Sequence, residues 1–185
     1  MVATTTRHQF TVSDYHRMIE SGIFKENDRV ELLDGEIYQM SPLGPMHIKL
    51  TNRLTKILVQ QVGNDAIVSV QNTVQLNDWS EPQPDIAIVH PRVDSYDGEL
   101  IQANDVYLLI EIADSSLHYD REEKLPRYAS AAIPEVWIID VKQHMIEQYT
   151  QPLEHQYTLL HRWLKGQTLT AVTFPQIQIT IDELF

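Results

Sequence analysis

Apolar positions recur at two periods along the chain, and the switches between them mark its elements. Residues 11–21 open on Thr11-Val-Ser-Asp14, a capping-box pattern, and stop at Gly22, which predicts a short first helix. Segments 29–33 and 36–40 flank Asp34-Gly35, the dipeptide that supplies the positive φ angles of a type I′ turn, so a hairpin follows. Residues 41–46 form a Pro/Gly loop. Ile48, Leu50, Leu54, Ile57, Leu58 and Val62 then recur at helical spacing until Gly63, which predicts a helix over 47–62.

Residues 66–76 are rich in β-branched side chains and read as extended structure with a bend near Gln71-Asn72. Pro84 opens a short strand over 85–89, where a first residue needs no ladder donor. The long acidic stretch 90–105 reads as a loop. The run 106–112 is apolar but for Glu111, the pattern of a central strand covered on both faces. Residues 120–132 look helical, although Pro126 in their middle must kink or shorten the helix. Pro134 precedes a buried strand over 136–141, and 145–179 alternates as two to four antiparallel strands punctuated by Pro152, Gly166 and Pro175. This order predicts an α/β domain with a mixed central sheet, an N-terminal helix and hairpin, and a C-terminal β extension. With 185 residues and no linker or repeat, 11–185 form one domain, and the polar residues 1–10 are expected to be disordered.

Composition narrows the chemistry. Zero Cys removes disulfide scaffolds, thiolate metal sites and cysteine nucleophiles, and agrees with a reducing compartment. No apolar run approaches the ~18 residues of a membrane helix, and residues 1–11 contain no signal-like apolar core, so a soluble, cytoplasmic protein without membrane contact is expected. The balance of 26 acids against 14 bases gives a formal charge of -12, which argues against coating nucleic acid by charge alone. Residues 94–123 hold nine acids against one base, Arg121. Lys49, Arg53 and Lys56 instead form an acid-free stripe on helix 47–62, on pattern alone first the solvated face of an amphipathic helix and second a candidate DNA-contacting face.

Glu111 inside Tyr107-Leu-Leu-Ile-Glu111-Ile costs several kcal/mol if left unpaired in a dry core. A cation, a metal ion or a position at a cleft must compensate it. Asp85 raises the same question at the start of Asp85-Ile-Ala-Ile-Val. If the two strands are antiparallel neighbours, both carboxylates converge at one end of the sheet, and oxygen-only surroundings suit a hard divalent cation such as Mg²⁺ or Mn²⁺. No Gly-x-Ser-x-Gly, Gly-rich phosphate loop or His-x-x-x-His spacing offers a competing chemistry.

The element order resembles the α-β-β-β-α-β core of the PD-(D/E)xK nuclease superfamily, the restriction-endonuclease-like fold. More closely, the chain resembles a bacterial family of restriction-endonuclease-like proteins of unknown role. The shared features are Glu31-Leu-Leu-Asp-Gly35-Glu36, Ser41-Pro42, His47, Pro84-Asp85, Leu109-Ile-Glu111, Asp120, Lys124, Tyr128, Ile133-Pro-Glu135-Val-Trp137 and Asp140. They span about residues 10 to 184 in order. The superfamily lysine should follow the glutamate by two, where Ala113 stands; the family relocates it to the following helix, where Lys124 matches.

The resemblance implies metal-dependent hydrolysis of DNA phosphodiester bonds. Asp85, Glu111 and the main-chain carbonyl of Ile112 would hold Mg²⁺ (or Mn²⁺), Lys124 would orient the attacking water, and Glu36, His47 and Asp120 would be accessory. DNA is the implied substrate, and a homodimer stays open because nucleases that act on both strands commonly pair. The alternative is a non-catalytic binding or assembly module with the nuclease fold, in which Glu111 forms a salt bridge with Lys124 or Arg127.

Overall fold

The computed structural model describes residues 7–25 and 28–185. The chain begins with α1 (Val12–Glu20), whose Thr11 and Asp14 form the reciprocal capping box that the sequence signals. Strands β1 (Val30–Leu33) and β2 (Glu36–Gln39) pair as a hairpin. Its turn residues Asp34 and Gly35 have φ of 48° and 77°. Gly35 is also required by packing, because a Cβ there would lie 2.6 Å from the Cβ of Gln9. The expected disorder of residues 1–10 lies, for 1–6, outside the described residues; within 7–10, Phe10 donates to the Gly35 carbonyl at 2.9 Å and Gln9 to that of Asp34 at 2.9 Å.

Helix α2 (Pro45–Val62) is followed by β3 (Ile67–Val70), which ends at Gln71 in a left-handed conformation with φ 53°. The chain turns there, at the predicted bend, into β4 (Val74–Gln75). After β5 (Ile86–Val89), the acidic stretch leads to the short β6 (Ile101–Gln102), parallel to β4, and then to β7 (Val106–Ala113).

The connection from β7 to β8 (Glu135–Asp140) crosses over through α3 (Leu117–Tyr119), a π-turn over Asp120–Lys124 and α4 (Leu125–Ser130). Strands β9 (Met145–Leu153) and β10 (Gln156–Trp163) form a long hairpin, and β11 (Thr168–Thr170) and β12 (Gln178–Thr180) a short one before α5 (Ile181–Leu184).

Six strands make the central sheet in the order β10-β9-β8-β7-β5-β3. Only β7 and β8 are parallel within it, which is why the connection between them needs a crossover. Leu50, Leu54, Leu58 and Val62 of α2 pack on one face with Ile86, Leu108, Ile110 and Trp137, joined by Leu169, Ile179 and Leu184 from the C-terminal segment. The other face carries Leu109, Val136 and Ile138 under Tyr128 and Ile133. Helix α1 and the first hairpin form a smaller cluster around Leu32, Val12 and Tyr15.

Pro126 falls in the first turn of α4. The preceding π-turn closes with Leu125 N–H donating to the Asp120 carbonyl, so the helix widens ahead of the residue that lacks a donor. The helical path also starts three residues before the predicted 120, at Leu117.

Candidate active site

Strands β5 and β7 are antiparallel with Ile86 opposite Ile110. One further step in that register sets Asp85 opposite Glu111, and directly opposed residues of an antiparallel pair project to the same face. Asp85 is held at both oxygens: Oδ2 accepts the Ile112 N–H at 2.8 Å and Oδ1 lies 2.9 Å from His47 Nε2. In an extended strand a residue's N–H and C=O point to the same side, so the Ile112 carbonyl also faces the Asp85 side. The neighbouring Ala113 carbonyl faces the other way and accepts Val141 N–H at 3.2 Å.

Glu111 is buried, and its Oε1 accepts from Lys124 Nζ at 3.1 Å and from the Tyr128 hydroxyl at 2.5 Å. Lys124 and Tyr128 are four residues apart on one helical face, which aims both at the same strand position. Lys124 Nζ also donates to the Gln83 carbonyl at 3.0 Å and lies 3.3 Å from Glu31 Oε2. Three oxygens therefore surround an ammonium with three N–H groups. Glu31, fully buried on β1, accepts in addition from Tyr119 OH at 2.8 Å and from Gln83 N–H at 2.9 Å. Asp120 completes the cluster and accepts from Ser116 Oγ at 2.7 Å.

Four carboxylates thus surround one lysine. Burial pushes Glu111 well above the ordinary carboxylate range; Lys124 opposes the shift, and Asp120 and Asp85 reinforce it. Burial likewise pushes Asp120 up to about 6, partly offset by Lys124. Burial alone would pull Lys124 down, but Glu111 and Glu31 outweigh it and hold the ammonium well above its usual value. Within the cluster four carboxyl groups share one ammonium, a surplus of acids over cations.

That surplus and the donor set suit a hard divalent ion. Asp85 and Glu111 are opposed, the Ile112 carbonyl faces the same side, and each carboxylate has more lone-pair sites than protein donors to fill them. Among the described residues, no three His, Cys, Asp or Glu side chains form a ready-made coordination sphere. An ion here would keep several waters, as Mg²⁺ commonly does.

The sequence-predicted residues divide clearly. Asp85, Glu111, Ile112, Lys124, His47 and Asp120 all line one cleft. Glu36 does not: it sits on the hairpin, where it accepts from Tyr38 OH at 3.3 Å and pairs with Arg7 at 2.8 Å. The acid that the hairpin delivers to the cleft is Glu31, and the signal for it was the one that marked Glu111, an acid among apolar neighbours in a strand. Lys49 and Arg53 lie on the exposed face of α2 and reach the main-chain oxygens of Phe185 and Leu184 at 3.2 and 3.4 Å; together with Lys56 they stand outside the cleft lining.

Pro126 does not draw Lys124 away from Glu111. Arg121 pairs with Glu147 at 2.8 Å, and Arg127 with Asp34 at 2.9 Å and Glu123 at 3.0 Å, so neither stands in for the lysine. Two further motif residues are structural. Glu135 accepts from Trp137 Nε1 and from the N–H groups of Val172 and Thr173, which seats the C-terminal segment on the sheet. Asp140 accepts from Lys142 and Gln143 N–H in the turn after β8.

Comparison with known proteins agrees with this architecture. A family model described as "Uma2: Putative restriction endonuclease" matches residues 12–182. Among solved structures, a protein from Anabaena variabilis described as a putative nuclease belonging to DUF820 superposes with a TM-score of 0.75 at 16% identity, over 95% of this chain and 97% of the other. At that identity the likeness establishes a shared fold. No curated protein matches.

Proposed function

The chain belongs to the Uma2 family, described as "Putative restriction endonuclease", and from that premise we propose that it hydrolyses DNA phosphodiester bonds with a divalent metal ion held by Asp85, Glu111 and the Ile112 carbonyl. The observation that carries the reading is the opposition of Asp85 and Glu111 across β5 and β7, beside a buried lysine.

A bound Mg²⁺ or Mn²⁺ there supplies Lewis-acid stabilisation of the phosphate and a lower pKa for the attacking water. The chain's own groups do the positioning. Asp85 is fixed by His47 and the Ile112 N–H, so it is set in place before an ion arrives. Lys124 is kept at the cleft by Glu31 and the Gln83 carbonyl. If Glu111 turns its charge toward an ion, the N–H that Lys124 now gives to Glu111 becomes free for the water or a phosphate oxygen. Tyr128 and Tyr119 hold the two glutamates in place.

A second reading has one observation in its favour, the closed Lys124–Glu111 pair at 3.1 Å. In a binding or assembly module with this fold, that pair would be a permanent structural salt bridge and no ion would enter.

Cleavage of plasmid and of single-stranded DNA in Mn²⁺ separates the two. The hydrolytic reading expects wild-type protein to nick DNA and Asp85→Ala and Glu111→Ala to be inactive. Lys124→Ala should lose cleavage while folding and keeping its Mn²⁺ affinity. Absence of any metal-dependent cleavage by the wild type, or cleavage that survives all three substitutions, would sink it.

A further inference from the structure

The cleft also restricts the shape of nucleic acid that can reach its floor. Its volume is about 380 Å³, in the range of a site that takes one small molecule, and so the scale of one nucleotide and not of a duplex segment. Asp85, Glu111 and Lys124 at the bottom are only 9%, 3% and 3% exposed. One wall is the loop from β2 to α2, pinned where Arg29 donates to the Ser41 carbonyl at 2.9 Å; the other is the segment from Asp114 to Asp120.

The walls meet in two places. Asp114 Oδ2 lies so close to Gly44 that a Cβ there would sit 2.9 Å from it, and the rings of Tyr38 and Tyr119 pack with centroids 5.7 Å apart. A straight double helix laid across these contacts would keep its phosphates outside.

Charge points the same way. The lining contains five acids (Glu31, Asp85, Glu111, Asp114 and Asp120) and two bases, Arg29 and Lys124. A duplex carries one charge per ~1.7 Å and a single strand one per ~3.4 Å, so a 10 Å run brings about six charges against about three. This lining repels the duplex about twice as strongly, and a single metal ion offsets a larger share of one strand's charge.

We propose that the strand hydrolysed is unpaired: a single-stranded segment, tail or frayed end of DNA. The proposal rests on the phosphodiester-hydrolysis reading above and adds the conformation of the substrate to it. The half-buried rings of Tyr38 and Tyr119 beside the mouth offer a surface on which an unstacked base can lie.

The test uses the full chain with Mn²⁺ and one end-labelled oligonucleotide presented as a single strand, as a duplex and as a fork with an unpaired tail. Because a duplex must first be unpaired to enter, the single strand and the tail are expected to be cut at least about tenfold faster than the duplex. Equal or faster duplex cleavage would overturn the proposal and leave the hydrolytic reading standing.

If no form is cut, the hydrolytic reading fails by itself, and anisotropy in Ca²⁺ then decides the shape restriction alone. Tighter binding of the single strand supports it; equal binding of the duplex removes it. Tyr38→Ala, outside the carboxylate cluster, should weaken single-strand binding about tenfold and leave Mn²⁺ affinity unchanged.

Discussion

Glu111 shares its surroundings with Glu31, Asp85 and Asp120, and Lys124 is the ammonium they have in common. Replacing Glu111 with Gln removes a carboxylate whose charge the site disfavours, while Lys124 keeps Glu31 and the Gln83 carbonyl as partners. Glu111→Gln should therefore raise the melting temperature of metal-free protein at neutral pH, by a few degrees for about 1 kcal/mol in a chain of this size. A fall would mean that the Lys124–Glu111 pair holds the fold together. Asp120 gives a pH signature. Its folded value of about 6 lies above its ordinary 3.8, so the native state binds that proton more tightly than the unfolded chain. The stabilisation is complete below pH 4 and is lost as pH rises through about 6, on the order of 3 kcal/mol for a rise from 3.8 to about 6. Asp120→Asn should flatten the melting profile of metal-free protein between pH 4 and 6; a profile identical to wild type would contradict the assignment. Asp85 and Glu111 were legible in the sequence because charge in or at the start of an apolar strand stands out, whereas Lys124 came from its match to the family's relocated lysine, since its spacing from Asp120 is equally that of a surface pair. Glu31 carried the same signal, an acid between Val30 and Leu32, but its strand is only four residues long and Glu36, across the turn of the same hairpin, offered the same chemistry.

At the scale of elements, the crossover from β7 to β8 does most to build the site, because it must bring Lys124 and Tyr128 over the middle of β7. The π-turn achieves this by accommodating Pro126 without bending the helix away. Periodicity could not show it, since a π-turn inserts one residue into a helical repeat and leaves the composition unchanged. Two residues past the end of the same helix lies Ala132, a non-glycine residue with φ 57°, after which Ile133 N–H donates back to the Tyr128 carbonyl at 3.0 Å. Ala132→Gly should relieve the left-handed strain and stabilise the protein by about 0.5 to 1 kcal/mol in denaturant melts, with cleavage unaffected. Destabilisation would show that the cap is not under strain. Alternation over 145–179 was legible as strands, but alternation does not say which sheet a strand joins. Strands β9 and β10 extend the central sheet, whereas β11 and β12 form a separate ribbon anchored through Glu135.

For the whole molecule, a formal charge of -12 sets the terms on which it meets a polyanion. Part of that charge is gathered at the cleft, among Glu31, Asp85, Glu111, Asp114 and Asp120, and under the proposed function a cation bound there would offset the repulsion of DNA. Helix α2 presents its bases elsewhere, over the end of α5. Among the described residues no helix is long and apolar enough to cross a membrane. The sheet order and the two helical layers serve one juxtaposition, Asp85 opposite Glu111 with the Ile112 carbonyl beside them, and the proposed hydrolysis requires that juxtaposition to bind metal. Calorimetric titration of the full chain with Mn²⁺ tests it most directly. The expected result is one ion per chain for the wild type and for Glu36→Gln, and loss of that binding in both Asp85→Ala and Glu111→Ala. No binding by the wild type, or equal affinity in all four proteins, would contradict it.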